Sequence, residues 1–287
     1  PLKLANLRIT AFDRENKLAP MQIAHARTDR NRILPPLGWP IKDIMYRLQQ
    51  AEDFSPIQGY YMYVDPAGGG QNGDEIAVAI TGYCAGRVFL VWVGGTRGGP
   101  TEDNLAWLTS IASKWNVKTI GIEKNFGNGA FKTIWEPYLI REHKCGIEEV
   151  WESGQKELRI IDILEPVINS GKLVVHEDLI TEDFDSIADY PAEKRNVYSL
   201  FWQIARITRE KGALIHDDRL DAVASAVRFW IDALNQDDLK AQAAARQDRY
   251  NEMMRNPLGT GRQPPAMKAL IGRAQGANAL NKFKRRF

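Results

Sequence analysis

Residues 60–65 read YYMYVD, an unbroken run of aromatic and β-branched side chains that closes on an aspartate. A run of this kind predicts a buried strand. Two more such runs follow, EIAVAIT at residues 75–81 and RVFLVWV at residues 87–93, with glycine-containing turns between them. Short turns between consecutive strands predict an antiparallel meander of three strands.

Downstream of this meander the sequence alternates between helical spacing and short apolar runs. Apolar residues recur every three or four positions over residues 101–115, with Thr101 as the predicted N-cap. Further helices are predicted after Gly129, over residues 157–170 and 196–209, and from Asp217 or Asp218 to Trp230, and further strands over residues 118–122 and 172–175. This order predicts an α/β fold with a mixed central sheet flanked by helices. A doubly wound dinucleotide-binding sheet would instead alternate from its first strand.

The two ends of the chain lack the strong periodicity of residues 56–235, which we predict to form the main domain. We interpret residues 1–55 as an N-terminal arm or linker with a short helix over residues 41–50. The start at Pro1 rather than Met agrees with a piece of a longer protein. Residues 236–287 begin helix-prone and end in KFKRRF, which predicts a basic, partly flexible C-terminal tail.

The composition excludes several classes of protein. The 287 residues include 38 basic and 36 acidic ones, so the net charge of +2 does not by itself indicate a nucleic-acid partner. Cys84 and Cys145 are far apart and have no zinc-site spacing, which predicts two free thiols in a reducing compartment. No P-loop is present, and no apolar run reaches eighteen residues, so we expect a soluble chain with no membrane span.

Acidic residues stand at the ends of apolar runs. Asp65 ends the first strand, Glu123 ends the strand at residues 118–122, and Asp218 and Asp221 open the last helix. A charge at the mouth of a buried strand is costly unless it is paired, and a divalent cation is one such partner. Mg²⁺ takes carboxylate oxygens, water and phosphate oxygens, and two such ions can promote hydrolysis of a phosphodiester. The four histidines are scattered, which argues against a zinc site.

Each of these positions also has a simpler interpretation. Asp65 precedes Pro66 and suits a turn, and Glu123 suits a solvated surface. Asp218 and Asp221 suit the N-terminal end of a helix, where acidic residues are favourable. The occurrence of all these positions in one order is what favours the metal interpretation. For Asp217 the sequence leaves three roles open: a helix cap, a metal ligand or a solvated residue. For His216 it leaves two, a partner of the site or a residue at the end of a strand.

Three motifs resemble a known family. YMYVDPAGGGQNGDEIAVAITG, IGIEKNFGNGAF and HDDRLDAVASAV are similar to the acidic motifs in the nuclease domains of phage terminase large subunits, most of all those of short-tailed, T7-like phages. The resemblance covers about residues 55–235. It implies an RNase H-like fold related to RuvC-type resolvases, and two Mg²⁺ or Mn²⁺ ions. It also implies endonucleolytic cutting of concatemeric double-stranded DNA.

The resemblance also implies roles and partners. Asp65 would bridge both ions, Glu123 would be the second-strand ligand, and Asp221 would be the main helix ligand with Asp218 as its companion. Asp217 could replace Asp218. The implied partners are double-stranded DNA, the portal protein, the small terminase subunit and an N-terminal ATPase domain of the same protein. The implied location is the host cell cytoplasm, within a packaging complex that is absent from the mature virion.

Basic residues near the motifs are candidates for DNA contact. They are Lys124, Arg97 in a glycine-rich loop, and Lys132 in the second helix, whose N-terminus could also bind a phosphate. Such contacts position DNA without reading its sequence, and we expect little sequence preference. Glycine-rich loops at residues 68–73 and 94–99 could gate the groove. The basic tail could bind DNA or, as the resemblance implies, the portal ring.

Two other functions remain open at this point. One is a Holliday-junction resolvase or transposase-like nuclease of the same fold. The other is a non-catalytic DNA- or portal-docking module, in which the acidic residues are only helix caps and no metal is needed.

Overall fold

The computed structural model describes residues 2–24, 27–50, 53–69, 74–124 and 129–255. The strands are Arg8–Thr10 (β1), Leu18–Pro20 (β2), Ile23–Ala24 (β3), Arg32–Ile33 (β4), Met45–Tyr46 (β5), Gln49–Gln50 (β6), Phe54–Pro56 (β7), Tyr60–Asp65 (β8), Ile76–Cys84 (β9), Arg87–Thr96 (β10), Thr119–Glu123 (β11), Gly146–Val150 (β12) and Leu173–His176 (β13). The helices are Glu102–Lys114 (α1), Ala130–Glu142 (α2), Lys156–Asn169 (α3), Leu179–Ser186 (α4), Leu200–Arg206 (α5), Asp218–Arg228 (α6) and Ile231–Arg255 (α7).

Seven strands form one mixed sheet in the order β1-β13-β10-β9-β8-β11-β12. β9 runs antiparallel to its neighbours β8 and β10, and every other neighbouring pair in this sheet is parallel. The meander predicted from the opening runs is therefore confirmed and lies at the centre of the sheet. The mixed sheet flanked by helices is confirmed as well.

The two faces of the sheet are covered by different helices. On β8, Tyr61 and Tyr63 face the core that contains α3, α5 and α6. Met62 and Val64 face the opposite core, which contains α1 and α2. Since successive side chains of a strand point to opposite faces, a strand buried on both faces must be apolar throughout. This explains why YYMYV shows no alternation.

The helix that opens with the third acidic motif lies across the centre of the sheet. α6 packs against β8 and β9, and Thr81 of β9 donates a hydrogen bond to the carbonyl of Ala226 at 3.1 Å. The predicted continuation to Trp230 is broken, because α6 ends at Arg228 and α7 begins at Ile231. At this break the Phe229 ring stacks on Tyr61, with 3.8 Å between the ring centroids.

The N-terminal segment corrects one prediction. Instead of an arm, residues 1–55 supply β1, which pairs in parallel with β13 at one edge of the main sheet. Leu7 and Ile9 are buried in the core, and Trp39 lies edge-to-face on Phe201 of α5. The helix predicted over residues 41–50 is wrong, because β5 and β6 occupy that stretch. These strands have only two residues each, too short to produce a periodic pattern.

Two further elements complete the described chain. β12 was not predicted, because this edge strand, GIEEV, is mostly exposed and carries two glutamates. The chain divides into two compact units after Asn235, and α7 extends through this point to Arg255. The rest of the predicted basic tail, residues 256–287, lies outside the described residues. Cys84 and Cys145 are free thiols, as predicted. None of the described helices has the length and apolarity to cross a membrane.

Candidate metal centre

Two parallel strands and one helix bring three carboxylates together. β8 and β11 are parallel neighbours with Val64 opposite Ile122. Asp65 and Glu123, the last residues of these strands, therefore lie at the same edge of the sheet. Asp221, in the first turn of α6, lies over this edge. Ligand oxygens of the three carboxylates lie within 4.8 Å of one another. Asp65 and Asp221 are buried and Glu123 is half-buried, so the cluster is accessible from the Glu123 side.

Asp218, the fourth predicted carboxylate, belongs to a second group. Its ligand oxygen lies within 4.8 Å of ligand atoms of Asp74 and His216. His216 Nδ1 is 3.1 Å from Asp74 Oδ1 and 3.9 Å from Asp218 Oδ2. The structure therefore separates the two acidic residues of α6 between neighbouring clusters, although their spacing predicted a common one.

An ammonium group stands between the two clusters. Lys156 is the first residue of α3, where a positive charge opposes the helix dipole and needs compensation. Its Nζ atom lies 2.9 Å from Asp217 Oδ1, 3.2 Å from Asp221 Oδ2, 3.5 Å from Asp65 Oδ2 and 3.8 Å from Asp218 Oδ1. Asp217 is thus an ion-pair partner of Lys156 and belongs to neither of the two groups.

Burial and mutual repulsion shift the acidity of these groups. Burial raises the pKa of Asp65 well above its usual range, Lys156 opposes that rise, and Asp221 adds to it. Burial likewise raises the pKa of Asp218 to about 7, with Lys156 opposing the rise and Asp74 adding to it. Burial on its own would lower the pKa of Lys156, but the surrounding carboxylates, Asp65 first among them, outweigh it and raise that pKa. The site therefore holds more negative charge than one ammonium group neutralises.

A divalent cation fits the first cluster. Asp65 Oδ2 is buried and accepts no hydrogen bond within the described part of the chain, although the Lys156 ammonium lies 3.5 Å away. An orphaned buried carboxylate oxygen is costly unless a cation or donor completes it. Three hard carboxylate oxygens at one point form the donor set that Mg²⁺ and Mn²⁺ prefer.

Asp221 is held in place by a neighbouring arginine. Arg159 Nη2 donates to both carboxylate oxygens of Asp221 at 2.7 Å, and its Nε lies 3.4 Å from Glu152. Glu152 follows β12, is buried, and accepts from both Nη atoms of Arg228 at 2.6 Å. These hydrogen bonds and the ion pair between Arg159 and Glu152 orient the Asp221 carboxylate toward Asp65 and Glu123.

A buried ion network fixes the start of α6. Arg219, between the two acidic residues of this helix, is fully buried. Its Nε donates to Glu75 at 2.6 Å, and its Nη1 donates to Asp183 at 2.8 Å. Glu75 precedes β9 and Asp183 lies in α4, so the network ties three elements together behind the carboxylates. Gly95 leaves the space for Glu75, since a Cβ at residue 95 would overlap the Glu75 carboxylate.

The candidate DNA contacts lie around this edge of the sheet. Lys124 directly follows Glu123 and pairs with Glu149 at 3.6 Å. Arg97 lies over the Tyr190 ring, 4.3 Å from its centroid. Lys132, on the first turn of α2, is half-buried. Most of the loop before α2 lies outside the described residues, but Gly129 is the N-cap of this helix. A Cβ at Gly129 would lie 2.5 Å from Glu149 Oε1, so a carboxylate already approaches the predicted phosphate position.

The two glycine-rich loops touch each other. A Cβ at Gly69 would lie 2.7 Å from the carbonyl oxygen of Gly98, and one at Gly99 would lie 2.7 Å from that of Gly68. Both Gly69 and Gly99 have positive φ, so this backbone contact requires glycine at both positions. Residues 70–73 of the first loop lie outside the described residues, and gating by these loops stays a prediction.

Several residues of the site were missed from the sequence. Lys156 carried a usable signal, because a lysine at the first position of a helix is unfavourable unless acidic groups surround it. Arg159 and Arg219 look in the sequence like ordinary charged residues of helices. Asp74 was visible only as part of a motif. Its proximity to His216 depends on how the strand and the helix pack, which local spacing does not reveal.

The chain is similar to known terminase proteins. Residues 64–173 match the family described as Terminase Bacteriophage T7, Ribonuclease H-like domain. The chain is 34% identical over 258 residues to the terminase large subunit of Enterobacteria phage T3, in an alignment that covers 90% of this chain and 44% of that protein. The chain thus spans less than half the length of this relative.

Solved structures of similar fold include two terminase nucleases. One is the human cytomegalovirus terminase nuclease domain, soaked with Mn and bound to an inhibitor, with a TM-score of 0.42 and 15% identity over 60% of this chain and 82% of that one. The other is the large terminase nuclease of thermophilic phage G20c, with a TM-score of 0.41 and 12% identity over 78% of this chain and 94% of that one. The family match and the sheet order confirm the RNase H-like fold expected from the motifs.

Proposed function

We propose that this chain carries the RNase H-like nuclease domain of a phage terminase large subunit of the T7 type, and that it is a metal-dependent endonuclease. Its substrate would be concatemeric double-stranded viral DNA, cut during genome packaging. The observation that carries the proposal is the convergence of Asp65, Glu123 and Asp221 at one edge of the sheet, with a buried Asp65 oxygen that accepts no hydrogen bond from the described residues.

Different residues of the chain would have different roles at this site. Asp65, Glu123 and Asp221 would hold Mg²⁺ or Mn²⁺, and Asp218 would assist them from the neighbouring cluster. When bound there, the ions would supply an activated water and stabilise the charge on the leaving oxygen. Arg159 keeps Asp221 oriented while the DNA binds. Lys156 offsets the carboxylates in the absence of metal, and its ammonium group would become available to a DNA phosphate once a metal takes its place.

DNA binding would depend on the phosphate backbone. Lys124 and Lys132 flank the carboxylate edge, and Arg97 lies on the loop after β10. Contacts of this kind set the position and orientation of the duplex but carry no base information. We therefore propose cutting with little sequence preference.

The biological setting is also part of the proposal. The partners would be double-stranded DNA, the portal protein, the small terminase subunit and the ATPase domain of the full-length protein, in the cytoplasm of the host cell. The 34% identity to the phage T3 large terminase supports this setting. The basic residues beyond Arg255 would bind either DNA or the portal.

Plasmid cleavage tests the proposal. Supercoiled plasmid is incubated with the protein in Mg²⁺, Mn²⁺, Ca²⁺ or EDTA, beside an Asp65→Asn variant and an Asp103→Asn control on the exposed side of α1. We expect cutting in Mg²⁺ or Mn²⁺ that EDTA and Asp65→Asn abolish and Asp103→Asn leaves unchanged. Cutting that persists in EDTA, or in Asp65→Asn, would refute the metal mechanism. The docking-module alternative predicts no cutting and no binding of metal at this cluster.

A further inference from the structure

The second cluster, Asp74, His216 and Asp218, differs from the first in chemistry. It joins two carboxylates with an imidazole nitrogen, and its three ligand atoms lie within 4.8 Å of one another. The three residues come from the segment before β9 and from the start of α6. Asp218 connects this cluster to Lys156, because it directs Oδ1 toward Lys156 at 3.8 Å and Oδ2 toward His216 at 3.9 Å.

An orphaned atom points into this cluster. Asp218 is only 5% exposed, and its Oδ2 atom accepts no hydrogen bond within the part of the chain that the structure describes. A buried carboxylate oxygen without a partner is rare in folded proteins and indicates a missing donor or cation. The Oδ1 side of this carboxylate already faces an ammonium group, so the missing partner belongs on the Oδ2 side, between His216 and Asp74.

The surroundings are suited to holding an ion. The His216 ring stacks on Tyr198 with 4.2 Å between the ring centroids and an interplanar angle of 21°, which fixes the plane of the imidazole. Asp74 is largely exposed, with 65% of its side-chain surface accessible. His216 is therefore held rigidly, Asp218 is buried, and Asp74 is open to solvent, where water can complete the coordination.

We propose that Asp74, His216 and Asp218 form a third cation site, separate from the two ions proposed for cleavage, and that it takes Mn²⁺ or a similar first-row transition ion in preference to Mg²⁺. Mg²⁺ favours an all-oxygen shell and gives up its waters reluctantly. An imidazole ligand favours transition ions, which bind mixed nitrogen and oxygen donors more tightly. Asp218 bridges the two regions, one oxygen facing Lys156 and the other facing the ion.

An ion at this site would tie the start of β9 to the start of α6. These are the two elements that Arg219 also joins through Glu75, the residue next to Asp74. Occupancy would offset the charges of Asp74 and Asp218 without any contact to Glu123. The consequence is a domain whose Mn²⁺-bound form is more stable to heat than its Mg²⁺-bound form.

Mn²⁺ binding in the presence of excess Mg²⁺ tests the proposal, with the free Mn²⁺ signal in electron paramagnetic resonance as the readout. The wild-type domain should retain one Mn²⁺ per chain against the Mg²⁺. His216→Phe keeps an aromatic ring on Tyr198 but removes the nitrogen, and Asp74→Asn changes an exposed side chain. Both should raise the Mn²⁺ dissociation constant of that site at least about tenfold, with circular dichroism confirming that each variant is folded.

Asp221→Asn separates this site from the proposed cleavage centre. This variant should lose plasmid cleavage yet keep the Mg²⁺-resistant Mn²⁺ ion. Retention of the ion by both His216→Phe and Asp74→Asn would overturn the third site while leaving the nuclease intact. Loss of the ion in Asp221→Asn, or no Mg²⁺-resistant ion in the wild type, would overturn it as well.

Discussion

Lys156 Nζ lies 3.2 Å from the carboxylate of Asp221 and 3.5 Å from that of Asp65, so the chain's own ammonium group stands where a divalent cation would be attracted. A third of the Lys156 side chain is exposed, and its long, flexible stem allows the charge to move aside. The domain therefore carries an internal counter-ion that a metal bound at the proposed site would have to displace.

Lys156→Gln should strengthen divalent-cation binding, because the competing positive charge is gone. We expect the Mg²⁺ concentration for half-maximal binding to fall by about tenfold, which equals about 1.4 kcal/mol. Isothermal titration calorimetry on the metal-free domain measures this directly. The exposed Lys211→Gln serves as the control with the same change in net charge.

The same variant should be less stable without metal. Removing one partner of a buried ion pair costs about 3–5 kcal/mol, and exposure of the lysine reduces this to about 1–3 kcal/mol. Urea unfolding in EDTA should show the loss, and saturating Mn²⁺ should reverse it. Equal or weaker metal binding by Lys156→Gln would show that the lysine is not a competitor.

The high pKa of Asp218 predicts how the stability of the metal-free domain changes with pH. This carboxyl titrates at about 7 in the folded chain, and at about 4 when unfolded. Between these values the folded state binds the extra proton, so stability decreases as pH rises from about 4 to 7. Asp218→Asn removes this loss and should melt at a higher temperature than the wild type at pH 8 in EDTA. At pH 4 the two should melt alike. A difference that stays constant with pH would contradict the assignment.

Arg219 is expected to be essential for folding. It is fully buried between Glu75 and Asp183, and Arg219→Met would leave two buried carboxylates without a counter-ion. We expect a loss of about 3–5 kcal/mol in the free energy of unfolding, measured with urea. Arg219→Lys should recover little, because an ammonium group does not reproduce the forked contacts. The comparison is Arg209→Gln, whose exposed pairs with Asp162 and Glu165 should matter little. Equal effects of the two substitutions would refute the role assigned to burial.

Gly95→Ala should disturb the same network from the sheet side. The added Cβ would overlap the Glu75 carboxylate, and this residue cannot withdraw without breaking its pair with Arg219. Differential scanning fluorimetry should show a clear fall in melting temperature. Gly59→Ala is a matched control, since no atom lies within 4 Å of the Cβ it would add. Identical melting temperatures for the two variants would mean that Glu75 has room to move.

Lys124 and Glu149 should affect DNA binding in opposite directions. Lys124→Gln removes one phosphate contact and should reduce the slope of log affinity against log salt by about 1. Glu149→Gln releases Lys124 from its 3.6 Å pair and removes a negative charge beside Gly129, so affinity should rise. Fluorescence anisotropy with a labelled duplex in Ca²⁺ measures both. A fall in affinity for Glu149→Gln would show that the pair positions Lys124 for DNA.

The sequence predicted the first cluster because its geometry depends on local pattern. Parallel strands end at a common edge, so Asp65 and Glu123 could be placed together once their strands were recognised. Asp221 followed from the helical spacing of the last motif. Asp218 could not be distinguished from Asp221, because residues spaced three apart on a helix point in similar directions. The packing of α6 against the segment before β9, which brings Asp74 to His216, decides which way each one faces.

The edges of the sheet were the weakest part of the prediction. β1 is three residues long, and its pairing with β13 joins Arg8 to Val174. β12 is exposed, so no apolar pattern marks it. Long-range pairing and polar edge strands leave little pattern in the local sequence. The central strands are buried on both faces, so an apolar pattern marks each of their residues.

The order of the strands also determines when the domain becomes complete. β8, β9 and β10 are consecutive and β9 pairs with both of the others, so these local pairings can begin to form once residue 96 has left the ribosome. The acidic cluster needs residues 65, 123 and 221, the last of them on a helix made long after the sheet centre. A nascent chain therefore contains the central strands of the sheet before it can assemble the acidic cluster. A nuclease activity that depends on this cluster would therefore appear only after synthesis has passed α6.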